Sequence, residues 1–416
     1  MNIYLIIIIA ILVAQYLLGL TSDLLNVSNI QEDLPEEFKD VYDNEKYKKS
    51  QLYLKDTTKF GLVQSTLSIL FLIPFIKFGG FSYIDTVARS ISNNQIIQGL
   101  IFVGIITIAG VLIGIPFSIY STFHIEEKYG FNKTTPKTFI LDLAKTLLLS
   151  ILIGAPIMAL VFWFFIKFEG IAWLYCWIAL TAFQIILTFL APILIMPLFN
   201  KFIPLEDCEL KDEIEQYAAK EKFKMRGVFT MDGSKRSSKS NAYFTGFGKS
   251  RRIVLFDTLI EKHTTQELTA VLAHEMGHYK KKHILKMIIT SIIESGIMFY
   301  ILSLFLKNEG LFKAFGIAPE NMSVYAGIVF FGFLYSPINV ILGIFGSISS
   351  RKHEYEADKF SVDTYGHKDS MISALKKLSV DNLSNLTPHP FTVFLSYSHP
   401  PVLQRVKAIR KIIVKG

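Results

Sequence analysis

Hydrophobic positions along the chain gather into seven tracts, near 2–20, 61–79, 98–121, 145–167, 171–197, 284–306 and 324–347. Each approaches or exceeds the roughly 20 mostly apolar residues that cross about 30 Å of hydrocarbon. The pattern predicts seven transmembrane helices. The first tract reads as a retained span, because Met1-Asn2 gives no basic leader, the apolar run is long for a signal peptide and no small-x-small site ends it. Gly110, Gly114, Pro116, Pro156, Pro192 and Pro337 lie within the tracts, where glycine and proline mark close packing or kinks. For Gly110 and Gly114, ordinary packing is the simpler reading.

Two polar segments break this pattern, 199–283 and 348–416. The first reads as a helix from Asp212 to Lys222 and two short strands, Gly227–Met231 and Arg252–Phe256, with a Ser-, Gly- and Lys-rich stretch between them. From Thr265 a helical pattern resumes and runs straight into the sixth span. The second reads as helical over Ser349–Tyr365, near Asp369–Asp381 and from Pro401 onward. Residues 21–59 form another sizeable polar loop. The fold class is therefore mainly α, a polytopic membrane protein with a short β element. Its organisation is 1–198 for the first five spans and their loops, 199–283 for one polar segment, 284–347 for spans six and seven, and 348–416 for the other.

Composition agrees: 51% of the 416 residues are hydrophobic and 19% are charged, against about 25% charge in soluble domains. Disorder, a rod-like repeat and a disulfide scaffold are excluded, since Cys176 and Cys208 are the only cysteines. Charge sets orientation. Seven spans place loops one, three and five and the carboxy-terminal segment on one face. That face carries Lys55, Lys59, Lys137, Lys145, Lys201, Lys280–Lys282, Arg351 and Lys352 near span ends. Arg89, Lys307 and Lys313 are the main cations between spans on the other. The positive-inside bias then puts the amino terminus outside and both polar segments in the cytosol. The net charge of +8 suits anionic lipid head groups, and no nucleic-acid module is visible.

The parity count has a chemical consequence: the end of the fifth loop and the start of the carboxy-terminal segment emerge on the same face. The fifth loop carries His274-Glu275-Met276-Gly277-His278, an H-E-x-x-H motif that chance supplies only about 0.01 times at this composition. On a helix, positions i and i+4 stand one above the other, so both imidazoles can bind one ion. Glu275 stands beside them, where it can take a proton from water at the ion. A catalytic zinc needs three protein ligands. His283, His353 and Glu354 are candidates for the third. His283 falls off the i, i+4 stripe and reads as part of the basic Lys280–Lys282 cuff at the membrane surface. If 351–358 is helical, Glu354 and Asp358 stand one turn apart. Glu354 can then bind the metal while Asp358 holds the spare N–H of a ligating histidine.

In these motifs the sequence resembles the Ste24 family of integral-membrane zinc metalloproteases, the type I CAAX prenyl proteases of the M48 group. Further matching stretches are Glu127–Asn132, Pro197–Phe202, Ser240–Tyr243 with Gly246-Phe247-Gly248, Ser350–Asp358 and Ser398-His399-Pro400 with Arg405. The resemblance implies Glu354 rather than His353 as third ligand, one Zn2+ per chain, and seven helices enclosing a water-filled chamber capped by the catalytic domain. It also implies Asp358 as a carboxylate supporting the site and proton transfer, His399 and Arg405 close to the metal, and Asn241 on the substrate backbone. The Gly246–Ser250 stretch is not a phosphate-binding loop, because Tyr243 stands where the first glycine is required.

The expected chemistry is peptide hydrolysis with Glu275 as base and His399 or Arg405 as oxyanion donor. The Asn241–Tyr243 stretch offers an edge for an extended peptide. The expected partners are a peptide or protein substrate, prenylated or not, and membrane lipid. A shorter HtpX-like quality-control protease and a non-proteolytic, metal-bearing transporter or scaffold are the alternatives. The expected location is the cell membrane of a prokaryote, or the endoplasmic reticulum membrane of a eukaryote.

Overall fold

The computed structural model describes residues 2–246 and 251–413; Phe247 and Gly248 of the glycine motif lie outside the described residues. Six continuous helical runs are long and apolar enough to cross a membrane: Ile3–Ser28, Asn44–Lys77, Gln95–Glu126, Pro136–Phe199, His283–Phe305 and Val324–Tyr365. The seven tracts fall into six runs because 145–167 and 171–197 share the 64-residue Pro136–Phe199 run. That run doubles back. Its helix Ala155–Phe168 ends where Glu169 takes φ 38°, and after a single 3-10 turn Ala172–Leu190 returns against it. Val161 and Phe165 pack there with Ala172 and Cys176, so one helical run supplies two crossings.

Proline sites in this run are relieved locally. A proline lacks its N–H and crowds the carbonyl four residues back. A π-helical turn, Ser150–Gly154, lies just before Pro156, and another, Ala191–Ile195, contains Pro192. Such wide turns take up the misfit without ending the helix. Pro337 sits inside the Val324–Tyr365 helix, which continues through it. A Cβ added at Gly110 or Gly114 would meet no atom within 4 Å, so neither supports a close helix contact. The first helix runs on to Ser28 and the second starts at Asn44, which shortens the polar loop expected at 21–59.

The amino terminus and two of the connecting loops meet at one end of the bundle. Asn2 Nδ2 donates to the Gly310 carbonyl at 2.7 Å, Ser82 Oγ to Gly316 at 3.0 Å, and the Arg89 guanidinium to Asn321 at 2.7 Å. Both polar segments assemble at the other end.

There, a four-stranded sheet comprises β1 (Phe202–Pro204), β2 (Gly227–Met231), β3 (Ala242–Thr245) and β4 (Arg252–Phe256), in the order β1-β2-β4-β3. β2 and β4 run parallel with Gly227 opposite Arg252, while β1 and β3 pair antiparallel at the two edges. β1 was not expected, being at three residues too short to show an alternation, while β3 overlaps the Asn241–Tyr243 stretch read as an edge.

Two sequence motifs brace the stretch leading into β3. Ser238 N–H donates to the Phe131 carbonyl at 3.0 Å, and the Asp232 carboxylate accepts from Lys201 N–H at 2.8 Å. Arg236 forks onto Asp142 at 2.7 and 2.9 Å and donates to the Phe199 carbonyl at 2.8 Å.

The helix carrying the H-E-x-x-H motif spans Thr265–Lys280. It starts in a capping box, in which Thr264 and Glu267 satisfy each other's backbone N–H. Ten of its sixteen residues are buried. Leu268 and Leu272 pack on Val228, Ile253 and Leu255 of the sheet, and Ala270 packs on Val362 of the long helix Val324–Tyr365. It does not run into the sixth span. The chain turns at Lys281–Lys282, where Lys282 takes φ 59°, and a new helix begins at His283. The last span is the opposite case: it continues without a break through Ser349–Tyr365.

Candidate metal centre

The short helix and the long helix cross at Gly277. A Cβ there would lie 3.0 Å from Ala357 Cα and 3.1 Å from Phe360 Cβ, closer than side chains normally approach. The glycine therefore lets the two backbones meet about one turn after His274 and next to His278. Glu354, on the turn before Ala357, is carried into the H-E-x-x-H face.

His274 Nε2 and His278 Nε2 stand 3.1 Å apart, and Glu354 reaches them through Oε2 at 3.4 Å and Oε1 at 3.2 Å. One ligand atom from each of the three lies within 4.8 Å of the others. Glu354 is 4% exposed, and its Oε2 makes no hydrogen bond, standing 3.4 Å from His274 Nε2 and 3.2 Å from the Arg405 guanidinium. A buried carboxylate converging with two imidazole nitrogens fits a cation. Two imidazoles and one carboxylate are also a ligand set known from catalytic zinc sites.

Surrounding groups fix these side chains. His274 Nδ1 lies 2.9 Å from Asp358 Oδ1. Burial opposes charge on His274, but hydrogen bonds to Asp358 and Glu354 outweigh it and hold the imidazole at about 9. Arg405, 8% exposed, forks onto Asp358 at 2.9 and 2.5 Å and reaches Glu354 Oε2 at 3.2 Å. Burial alone would raise the Asp358 carboxyl; the guanidinium and His274 bring it down to about 2. Burial pushes the Glu275 carboxyl up, against the pull of the two imidazoles.

The remaining expected residues occupy different positions. His399 has a 65% exposed side chain, and its Nε2 stands 3.4 Å from Glu354 Oε1. Arg351 holds the segment before it by donating to the Val393 and Tyr397 carbonyls at 2.9 and 2.6 Å. Asn241 is exposed at the start of β3, outside the ligand cluster, and β3 packs on the H-E-x-x-H helix. His353 does not join the ligands: its ring stacks on His283 at 3.9 Å and 12°. His283 does not belong to the exposed lysine cuff; it is 1% exposed and turned toward His278.

A cavity of about 910 Å³ extends from His353 and Ser398 down between the sixth and seventh spans to Tyr335. Thr290, Ser291, Glu294, Ser295 and Asn339 give it a polar wall at membrane depth, where irregular or polar surface is tolerated facing a cavity.

A bundle of apolar helices, a cavity between two of them and a metal-ligand triad whose Glu354 follows the cavity-lining His353 define an integral-membrane metallopeptidase. The chain belongs to peptidase family M48. The family model described as "Peptidase family M48" matches residues 204–413, and "CAAX prenyl protease N-terminal, five membrane helices" matches 23–201. The chain is 36% identical to CAAX prenyl protease 1 of Saccharomyces cerevisiae, over 90% of this chain and 88% of that protein. It is 33% identical to the CAAX prenyl protease 1 homolog of Homo sapiens, over 91% and 88%. The crystal structure of S. mikatae Ste24p superposes with a TM-score of 0.93 at 35% identity, covering 98% of this chain and 99% of that one. The protein is thus a multi-pass membrane metalloendopeptidase. The match across 23–201 argues against the shorter quality-control type, and the peptidase family argues against a non-proteolytic carrier.

Proposed function

We propose that the chain is a zinc endopeptidase that removes the last residues of CAAX-type carboxy-terminal peptides. It would work with the amino terminus outside and the metal centre in the cytosol. The observation that carries the reading is Glu354 reaching both H-E-x-x-H imidazoles, with Glu275 in the same motif. The CAAX part comes from the named relatives; the cytosolic orientation comes from the lysines and arginines near span ends.

His274, His278 and Glu354 would hold one Zn2+, which when bound would supply polarisation of the scissile carbonyl and a water of pKa about 7. Glu275 takes the proton of the attacking water and gives it to the leaving amine nitrogen; a carboxyl raised by burial suits a group that must do both. His399, whose ring is exposed beside Glu354, donates to the developing oxyanion. Arg405 is already forked onto Asp358 and shared with Glu354, so its part is to hold those carboxylates. Asp358 accepts the Nδ1–H of His274 and keeps Nε2 bare toward the ion. Edge strand β3, beginning beside Asn241, receives the substrate backbone by strand addition.

The test is Glu275→Gln in purified protein. It should keep one zinc per chain and lose about 10²–10⁴-fold in peptide cleavage; unaltered cleavage would sink the mechanism. Cleavage of a farnesylated and an unmodified peptide of the same sequence, side by side, decides whether the lipid is needed.

A further inference from the structure

His278 has a supporting chain of its own, and it comes from residues outside the H-E-x-x-H motif. Its Nε2 faces His274 and Glu354, while its Nδ1 stands 3.1 Å from His283 Nδ1. His283 in turn places Nε2 3.0 Å from Glu356 Oε2. Ring nitrogens facing each other at that distance share one proton, so the outer contact decides which ring owns it. An ionised carboxylate only accepts. The Glu356 contact therefore puts the His283 proton on Nε2 and leaves its Nδ1 as an acceptor. The Nδ1–H then belongs to His278, whose Nε2 is left bare on the ligand side. The stacked His353 ring, 3.9 Å away, fixes the plane of His283.

We propose that His283 and Glu356 are positioning residues for His278, as Asp358 is for His274. The turn at Lys281–Lys282 makes this possible. On an unbroken helix, His283 would point about 180° away from His274, nine residues at about 100° each. The left-handed Lys282 redirects the chain and brings the ring back against His278. Glu356 stands on the long helix two residues after Glu354, about 200° around it, and so faces the sixth-span helix that starts with His283. Metal-ligand histidines commonly rest on an outer acceptor of this kind, and losing it costs 10–100-fold in metal affinity.

The proposal rests on the metal-site reading, and one titration separates the two. The full chain, purified in detergent, is titrated with Zn2+ against a chromophoric chelator. Wild type must bind one zinc; if it binds none, the metal-site reading itself fails. His283→Leu removes the acceptor at similar volume and should weaken binding about 10–100-fold. His283→Asn returns an acceptor near the former Nδ1 and should recover most of that loss. The visible spectrum of the Co2+-loaded protein should shift in His283→Leu and return toward wild type in His283→Asn. Should His283→Leu fail to fold, Glu356→Ala, at a partly exposed position, serves instead, with at least a threefold loss expected. Wild-type affinity in His283→Leu, or in Glu356→Ala where it stands in, overturns the proposal, as does a His283→Asn as weak as the leucine variant.

Discussion

The two helices that carry the centre are built on opposite plans. Thr265–Lys280 is short, capped, buried over most of its surface and stopped at the membrane by a left-handed residue. Val324–Tyr365 has 42 residues, and only 17% of its most apolar window is buried inside the protein, because hydrocarbon replaces protein contacts there. The short helix is positioned by its neighbours: the sheet, the long helix and its own capping box. The long helix is positioned by the spans its Tyr325, Phe330, Phe331 and Tyr335 pack against, and it carries that register without a break to Glu354 and Asp358. The metal centre is where a packed element meets a membrane-anchored one.

The most severe way to break this arrangement is one alanine inserted between Ile348 and Ser349. It rotates everything beyond it by about 100° and advances it by about 1.5 Å. Glu354 and Asp358 leave the H-E-x-x-H face together. Zinc content should fall from one per chain to near zero, measured by elemental analysis, with helical circular dichroism little changed and cleavage lost.

A milder change keeps the register and removes a single charge. Asp358→Asn leaves Arg405 with Glu354 as its remaining carboxylate and weakens the hold on His274 Nδ1. Zinc affinity should drop about 10–100-fold. If it falls by less than threefold, the Asp358 contact is not what orients His274.

The crossing itself is tested at Gly277. Gly277→Val forces side-chain atoms against the Ala357 backbone and Phe360, so the helices must separate or strain. Overpacking of this kind costs about 1–3 kcal/mol. A lower melting midpoint with partial loss of zinc is expected, and wild-type stability would mean the helices are not tightly engaged.

The same contrast explains what the sequence disclosed. The seven tracts, the meeting of 274–278 with 354 and the strands Gly227–Met231 and Arg252–Phe256 were legible because each depends on periodicity or on parity across the bilayer. His283 was misplaced because the Thr265 helix was read as continuous, which turns that ring to the far side. Lys282 at φ 59° reverses the answer, and a lysine carries no sequence sign of left-handed backbone. Glu356 went unnoticed with it, since its role exists only once His283 is in place. Arg405 was readable as a charge near the centre, but its fork onto Asp358 depends on how the last helix packs. One signal pointed to the turn: an amphipathic helix cannot keep its polar face while entering hydrocarbon, so a change of direction was due near Lys280–Lys282.

The smallest effect concerns the root of the short helix. His263, just ahead of its capping box, is 8% exposed and places Nδ1 3.1 Å from the Leu259 carbonyl. With Nδ1 donating, Nε2 is a buried nitrogen without a partner. Protonation would leave a buried N–H without an acceptor, and burial accordingly lowers the His263 imidazole below its usual 6.5. The unfolded chain therefore binds this proton first as pH falls. The stabilising contribution is full above pH 6.5 and is lost progressively from there down to the folded value. Thermal melts in detergent should show a midpoint about 1–2 °C lower at pH 5 than at pH 7 from this group, a shift that His263→Leu removes. If the pH dependence is unchanged in the variant, His263 is not held neutral by the fold, and the short helix owes its pH response to other groups.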